Sequence, residues 1–237
     1  LKANLIYNQQ LNFYYKKIIS KYFNQIKFQG DFESLENFND QNHIFIIGLP
    51  RSGSTLVETI ICHNSKNVYS FGEFHGINSS IIDQIGSSIY SENFKNLNYN
   101  LTLKNEIFQK SLLEKYNNIN HKIFIDKSLE NFFNIEIILN FFPNAKFIHT
   151  YRNLKDSIIG IYQTMLPELS WSHKIEDIVN YIDIYKKAIS YFKNKYPEKI
   201  LNIDLVKLSN QKEIESKKIL NFCNIKFNQE FLNIEKF

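Results

Sequence analysis

The residues Gly48–Thr55, which read GLPRSGST, decide the fold of this chain. They follow the short apolar run HIFII at 43–47 and lead into an apolar pattern of helical spacing that starts at Leu56. A strand, a tight turn and a helix start together place backbone N–H groups and the positive end of a helix dipole around a phosphate group. The sequence therefore predicts a phosphate-binding loop between a strand and the helix that follows it.

The loop departs at one position from the nucleoside-triphosphate loop G-x-x-x-x-G-K-[ST]. Ser54 takes the place of the lysine, which in that loop reaches the β- and γ-phosphates. Arg51 still supplies a fixed positive charge three residues earlier. This substitution argues against ATP or GTP hydrolysis and favours a phosphate-like group other than a triphosphate.

The composition is that of a globular protein with very few arginines. A length of 237 residues suits one large α/β domain or a domain with a small appendage. The net charge of +4 comes from interspersed Lys and Glu, so no basic face for nucleic acid is predicted. Arg51 and Arg152 are the only two arginines. Because Arg binds phosphate bidentately and Lys does not, we interpret both as phosphate ligands, with ordinary surface arginines as the alternative.

Several features bear on location and processing. No stretch of about 18 apolar residues is present, so no membrane span is predicted. Cys62 and Cys223 lie in apolar helical patterns, and we expect them to be unpaired in a reducing, cytoplasmic compartment. No group of His, Cys and carboxylates has metal-ligand spacing, so no metal is predicted. The chain begins at Leu1 without a signal-peptide layout, and we expect a processed form or part of a longer protein.

Apolar strands alternate with amphipathic helices along most of the chain. This order predicts a P-loop-type α/β fold, with a central parallel sheet covered by helices on both faces in three layers. We expect residues 1–42 to form an N-terminal helix, at 4–29, and a connector, and residues 43–237 to form the domain. Strands are predicted at 43–47, 68–69, 122–125, 146–151 and 199–203, and helices at 54–62, 75–117, 130–141, 154–164, 174–195 and 211–224.

Four charged residues, Arg51, Glu73, Lys127 and Arg152, each follow a predicted strand. In parallel sheets of this kind, ligands bind beyond the carboxyl ends of the strands. We therefore expect these four side chains to lie along one rim of the sheet.

Four segments in this order resemble the sulfotransferases that use 3′-phosphoadenosine 5′-phosphosulfate (PAPS). The likeness is to the branch that contains bacterial sulfotransferases with N-terminal tetratricopeptide repeats and the protein-tyrosine sulfotransferases, and it covers roughly residues 43–225. The segments are GLPRSGST at 48–55, FGE at 71–73, DKSLEN at 126–131 and FPNAKFIHTYRN at 142–153, the last followed by Asp156.

The resemblance implies where the donor would bind. The 5′-phosphosulfate would lie in the loop, and the 3′-phosphate would lie on Arg152. Family members usually have a Ser eight residues after that Arg, where this chain has Gly160. Ser157, one turn earlier on the same predicted helix, is a partial substitute. The loop ligands would be Arg51, Ser52, Gly53, Ser54 and Thr55.

The resemblance also implies the chemistry. Glu73 matches the carboxylate base of the tyrosine-sulfating branch, and Lys127 matches its lysine beside the bridging oxygen of the donor. With Arg51, Lys127 would stabilise charge as a sulfuryl group moves to an acceptor hydroxyl of a peptide tyrosine, carbohydrate, lipid or small alcohol, leaving 3′,5′-bisphosphoadenosine. The Lys-Thr-His base of cytosolic sulfotransferases is absent from the sequence, and His75 and His149 are interpreted as structural.

Some features depart from the family pattern or leave alternatives open. The Tyr-Glu-x-Leu segment of the family is Asn202–Leu205 here, and the chain ends where a basic loop usually follows. Residues 75–120 and the loop around Trp171 are expected to shape an acceptor groove. Residues 4–29 are either the last helix of a repeat array or a homodimer contact. The rival functions are a P-loop nucleotide kinase or NTPase that tolerates Ser54, and a non-catalytic sulfotransferase-like binding protein.

Overall fold

The computed structural model describes residues 42–77, 122–164, 166–167 and 169–229. The helix predicted at 4–29, the connector to residue 41 and most of the helical segment predicted at 75–117 lie outside these described residues. The division of the chain at residues 42–43, and a homodimer contact through its first helix, therefore stay predictions.

Five parallel strands rich in Ile and Phe form one sheet, in the order β2-β3-β1-β4-β5. The central strand β1 pairs with β3 on one side and with β4 on the other. Because the strands are parallel, the carboxyl ends of β3, β1 and β4 meet at one edge of the sheet. The strands are β1 Asn42–Gly48, β2 Val68–Ser70, β3 Ile123–Asp126, β4 Lys146–Tyr151 and β5 Ile200–Asp204.

The helices lie close to their predicted positions, with two differences. The helix predicted at 130–141 is divided at Asn134, whose φ of −108° and ψ of 10° are not helical, in keeping with the low helix propensity of Asn. A short helix that was not predicted begins after Asp204, whose carboxylate accepts hydrogen bonds from the N–H groups of Val206 and Lys207. The helices are α1 Ser54–Asn64, α2 Ile135–Phe141, α3 Leu154–Thr164, α4 Ile175–Lys195, α5 Leu205–Asn210 and α6 Lys212–Phe222, with short 3₁₀ helices at Leu129–Phe133, Ser170–His173 and Pro197–Lys199.

The side chains of the sheet alternate between two buried clusters, one on each face. Phe45, Ile47 and Phe147 pack with residues of α2, α3 and α4. Ile44 and Ile46 point the other way and pack with residues of α1, α5 and α6. The structure thus has the three-layer α/β/α architecture that the sequence predicts.

Two further sequence predictions can be compared with the described residues. Cys62 is half-buried, Cys223 is buried, and neither forms a disulfide, as expected. Over the same ranges, no helix is both long enough and apolar enough to cross a membrane.

Candidate active site

The phosphate loop holds its shape through close contact with β4. Gly48 pairs with Thr150, and a Cβ at Gly48 would collide with the Thr150 carbonyl oxygen. Farther along, the buried Ser52 hydroxyl hydrogen-bonds the Thr150 hydroxyl at 2.7 Å. Arg51 and Gly53 have left-handed φ angles of 64° and 93°. Only a small residue fits at the start of the loop, and the loop is fixed on the end of β4.

The amino end of α1 leads directly out of this loop. The helix begins at Ser54 without a side-chain cap and without an acidic residue in its first turn. The first N–H groups of a helix have no acceptor inside the helix, and the helix dipole makes this end favourable for an anion. Ser54 is buried and Thr55 is exposed. The predicted ligands at 51–55 therefore stand together at one helix start, as phosphate binding requires.

Arg152, the second arginine, contacts this loop. It follows directly after β4, and its Nη1 donates a hydrogen bond to the carbonyl oxygen of Arg51 at 3.3 Å. Its Nη2 lies 3.8 Å from Asp156 Oδ2, one turn into α3. The side chain of Arg152 is 26% exposed, so its guanidinium is partly open to an incoming group. Residues about a hundred positions apart in the sequence thus share one corner of the rim.

Lys127, at the carboxyl end of β3, contacts two carboxylates. Its Nζ donates to Glu73 Oε1 at 2.9 Å and lies 3.6 Å from Glu58 Oε2. The Lys127 side chain is 9% exposed, whereas that of Glu73 is 60% exposed. Glu58 belongs to α1 and also accepts a hydrogen bond from the Ser70 hydroxyl. The buried ammonium is thus held between an inner carboxylate and an outer one.

Backbone contacts between β3 and the segment after β2 place Glu73 beside Lys127. The Lys127 N–H donates to the Gly72 carbonyl oxygen at 2.9 Å, and Gly72 has a φ of 62°. The His75 N–H donates to Ser128 Oγ at 2.7 Å, and the Ser128 N–H donates to Asp126 Oδ1 at 2.7 Å. Burial raises the pKa of Asp126. These bonds cross-link the two chain segments on both sides of Glu73.

A cavity of about 380 Å³ lies between the end of β4 and α4, next to the loop. His149 forms part of its wall, with Nδ1 2.8 Å from Asn202 Oδ1 and Nε2 against the Tyr185 hydroxyl. Since the Asn202 oxygen can only accept, Nδ1 carries the proton and Nε2 accepts from Tyr185. Burial lowers the pKa of His149 to about 4. The histidine is therefore neutral near pH 7, in keeping with the structural role predicted for it.

The remaining predicted residues have varied surroundings. Ser157 is buried in the cavity wall, and its hydroxyl donates to the Asn153 carbonyl oxygen at 3.1 Å. Gly160 faces the loop, since a Cβ there would lie 3.5 Å from Arg51 Cβ. In the loop expected to shape an acceptor groove, the Trp171 ring is buried and stacks on Tyr181 with centroids 3.7 Å apart. A large apolar ring gains more from burial in the core than from exposure beside a cleft.

Several residues of this region were not predicted from the sequence. Glu58 carries a recognisable signal, because it lies four residues after Ser54 and so on the same face of α1. Thr150 and Ser70 act through hydroxyl hydrogen bonds that no sequence spacing indicates. Lys186 and Lys193 of α4 line the cavity, but in the sequence they resemble any other solvated lysine of an amphipathic helix.

The sulfotransferase family model matches residues 43–229, which is most of the chain. The chain belongs to the sulfotransferase family. This confirms the family resemblance seen in the four sequence segments, and the matched region contains the phosphate loop, Glu73, Lys127 and Arg152.

Solved structures of other sulfotransferases have a similar fold. The sulfotransferase from Alicyclobacillus acidocaldarius has a TM-score of 0.52 and 12% identity, over 77% of this chain and 81% of that one. The sulfotransferase domain from the curacin biosynthetic pathway has a TM-score of 0.53 and 16% identity, over 83% and 78%. A sulfotransferase from Mycobacterium tuberculosis has a TM-score of 0.53 and 11% identity, over 83% and 71%. At these identities the likeness establishes the fold alone.

This sulfotransferase-family chain also has a curated relative. An uncharacterized protein of Aquifex aeolicus (strain VF5) is 25% identical to it over 221 residues, or 86% of the chain. The chain spans 29% of the length of that relative.

Proposed function

We propose that this protein transfers a sulfuryl group from PAPS to the hydroxyl of an acceptor. The residues present fit such a donor: a glycine-dependent loop at an uncapped helix start, one arginine within the loop and a second in contact with it, and a lysine–carboxylate pair at the neighbouring strand end. Family membership supports the reaction class, while the donor, the base and the acceptor are proposals. The activity, substrates and partners of the whole protein are likewise proposals.

In the proposed complex, the loop residues Arg51, Ser52, Gly53, Ser54 and Thr55 bind the 5′-phosphosulfate. Their N–H groups and hydroxyls donate hydrogen bonds, and the α1 dipole adds to the attraction. Arg152 binds the 3′-phosphate, with Ser157 behind it in the same wall.

Glu73 accepts the proton of the acceptor hydroxyl. Its exposed carboxylate leaves it open to an acceptor arriving from solvent, while Lys127 keeps one of its oxygens in place. The donor supplies the sulfuryl group, whose bond to the 5′-phosphate oxygen breaks as the acceptor oxygen bonds to sulfur. Lys127 and Arg51 stabilise the negative charge that develops on that phosphate oxygen and on the sulfuryl oxygens. The chain thus supplies placement, a base and fixed positive charge.

The observation that carries the proposal is the hydrogen bond from Arg152 to the backbone of Arg51. PAPS carries its 5′-phosphosulfate and its 3′-phosphate on one ribose, so it needs two cationic sites that are close together, and this chain has only two arginines. Both lie at one corner of the rim. Arginines on opposite sides of the molecule would have been incompatible with this donor.

Calorimetric titration with 3′,5′-bisphosphoadenosine tests the proposal. We expect binding in EDTA that added magnesium does not strengthen, and a roughly 10- to 100-fold loss of affinity in Arg152→Ala. Lys155→Ala, which removes an exposed cation of α3 three residues after Arg152, is the matched control and should bind like the unaltered chain. Magnesium-dependent binding of ATP or GTP instead would favour the kinase or NTPase alternative. Binding of the bisphosphate without release of it from PAPS, over a panel of hydroxyl acceptors, would favour a non-catalytic binding protein.

A further inference from the structure

The cavity beside the phosphate loop has a strongly cationic wall. Three cations line it: Arg152 after β4, and Lys186 and Lys193 from α4. Among the described residues that line the cavity, none is Asp or Glu. Ser52 of the loop forms another part of the wall, so the cavity is continuous with the proposed phosphosulfate site.

The two lysines lie on one face of α4. Lys186, Ser190 and Lys193 follow one another at spacings of four and three residues, which places them on one stripe of the helix. Between them, Ile189 is buried and packs α4 against the sheet side of the cavity. Packing of this helix therefore fixes which of its lysines face the cavity. Lys187, one residue away, is exposed and does not line it.

The charges of the two lysines are not neutralised within the part of the chain that the structure describes. The ion pairs there involve lysines 127, 195, 217 and 218, but neither Lys186 nor Lys193. The charge of Lys193 lowers the pKa of His149, in addition to the larger effect of burial. Lys193 and His149 therefore lie near each other in the cavity wall. Positive charges that face a common cavity without a carboxylate between them favour an anion in that cavity.

The expected second ligand of the 3′-phosphate is missing from this chain. Gly160 has no side chain to donate a hydrogen bond, and the Ser157 hydroxyl already donates to a backbone carbonyl. The side chain of Arg152 is 26% exposed, but its Nη1 already donates to the Arg51 carbonyl oxygen and its Nη2 lies 3.8 Å from Asp156 Oδ2. A phosphate dianion at this position needs additional donors.

We propose that Lys186 and Lys193 bind the 3′-phosphate of the nucleotide together with Arg152, in place of the missing serine. This inference rests on the proposed function, because the ligand class is a nucleoside 3′,5′-bisphosphate. The α4 lysines act as flexible point charges that reach a phosphate from the side opposite Arg152. They make the cavity selective for nucleotides that carry a 3′-phosphate.

The test compares two ligands that differ in the 3′-phosphate. Affinities for 3′,5′-bisphosphoadenosine and for adenosine 5′-phosphate are measured by calorimetry in the unaltered chain, in Lys193→Met, in the double variant Lys186→Met/Lys193→Met and in the control Lys187→Met. We expect the double variant to lose roughly 10- to 100-fold in affinity for the bisphosphate and nothing in affinity for the monophosphate. The single variant should lie between, and the control should match the unaltered chain.

Three outcomes would overturn this inference. Equal losses of affinity for the bisphosphate and the monophosphate would show that the lysines act on the fold or on the overall electrostatic potential of the cavity. Circular dichroism identifies a folding defect. Unchanged bisphosphate affinity in the double variant would remove the lysines from the site while leaving the proposed function intact. Failure of the unaltered chain to bind the bisphosphate would instead contradict the proposed function, and this inference with it.

Discussion

The two ends of the proposed donor site differ in whether their lysines are paired with carboxylates. At the end of β3, Lys127 is buried and lies between two carboxylates, Glu73 and Glu58. At the end of β4, Lys186 and Lys193 face a cavity whose lining, in the part of the chain that the structure describes, contains no carboxylate. At the first end the ammonium is paired with carboxylates inside the protein. At the second end the lysine charges are left for a ligand.

This difference fits the tasks of the two ends. A group that takes part in transfer must hold one position before and after the charge moves, and preorganised partners provide this. A group that only anchors a phosphate needs no internal partner, because the ligand supplies the counter-charge. The Lys127 end is therefore the candidate for chemistry, and the cationic cavity is the candidate for affinity.

The largest expected effect comes from Glu73→Gln. If Glu73 is the base, this variant loses about 10²–10⁴-fold in turnover because the amide cannot accept the acceptor proton. Its affinity for 3′,5′-bisphosphoadenosine should stay unchanged, since the cationic cavity is intact. The rate of bisphosphate release from PAPS is measured with the best acceptor from a hydroxyl panel, and affinity by calorimetry.

Glu213→Gln is the matched control for this prediction, because it removes a carboxylate from an exposed ion pair with Lys217 on α6. The control should turn over like the unaltered chain. Normal turnover in Glu73→Gln would show that the Lys127 end does not supply the base. A large loss of bisphosphate affinity in this variant would show that the Lys127 end also contributes to donor binding.

The parts of the site that were predictable from the sequence are those whose structure is determined by residues close together in the chain or by the ends of neighbouring parallel strands. The loop at 48–55 was predictable because a strand, a turn and a helix start follow one another directly. Glu73 and Lys127 were predictable as rim residues because parallel strands bring their carboxyl ends to one edge. Their mutual contact of 2.9 Å agrees with that expectation.

The parts that were not predictable depend on packing between distant elements. Lys186, Lys187 and Lys193 look alike in the sequence, and only the seating of α4 on the sheet distinguishes the two that line the cavity. The burial of the Trp171 ring against Tyr181 of α4 was equally unpredictable from the sequence, which indicated only a loop around Trp171. Local patterns carry no information on such contacts.

An intermediate effect is expected from acid on His149, beneath the cationic cavity. Because burial lowers its pKa from 6.5 to about 4, the folded state binds a proton less readily than the unfolded state. The stability contributed by neutral His149 is present above pH 6.5 and is lost as the pH drops toward 4, by about 2 kcal/mol between pH 7.5 and pH 5. Urea unfolding of the unaltered chain and of His149→Gln, at pH 7.5 and at pH 5, measures this loss.

His149→Gln cannot titrate in this range, so its free energy of unfolding should fall less over the same interval, by about 2 kcal/mol. Taking the difference between the two proteins removes the contribution of His43, whose pKa burial also lowers. Equal losses in both proteins would mean that His149 is not held neutral under the cavity.

The smallest effect is expected from Glu58→Gln, which tests whether the inner carboxylate positions Lys127. Without it, Glu73 is the one described carboxylate that still pairs with Lys127, and the base is less free to turn to an acceptor. We expect turnover to fall about 5-fold, or roughly 1 kcal/mol, with unchanged bisphosphate affinity and unchanged KM for the acceptor. Ser70→Ala, which removes the hydroxyl donor to Glu58, should act in the same direction and less strongly.

A double-mutant cycle distinguishes positioning from a general loss of structure. If Glu58 acts only through Lys127 and Glu73, its replacement should have little further effect in a Glu73→Gln background, because the base is already gone. If the two losses multiply instead, Glu58 acts through the fold or the loop, and Lys127 does not depend on its inner partner. Of the two carboxylates at the Lys127 end, only Glu73 would then distinguish that end from the cationic cavity.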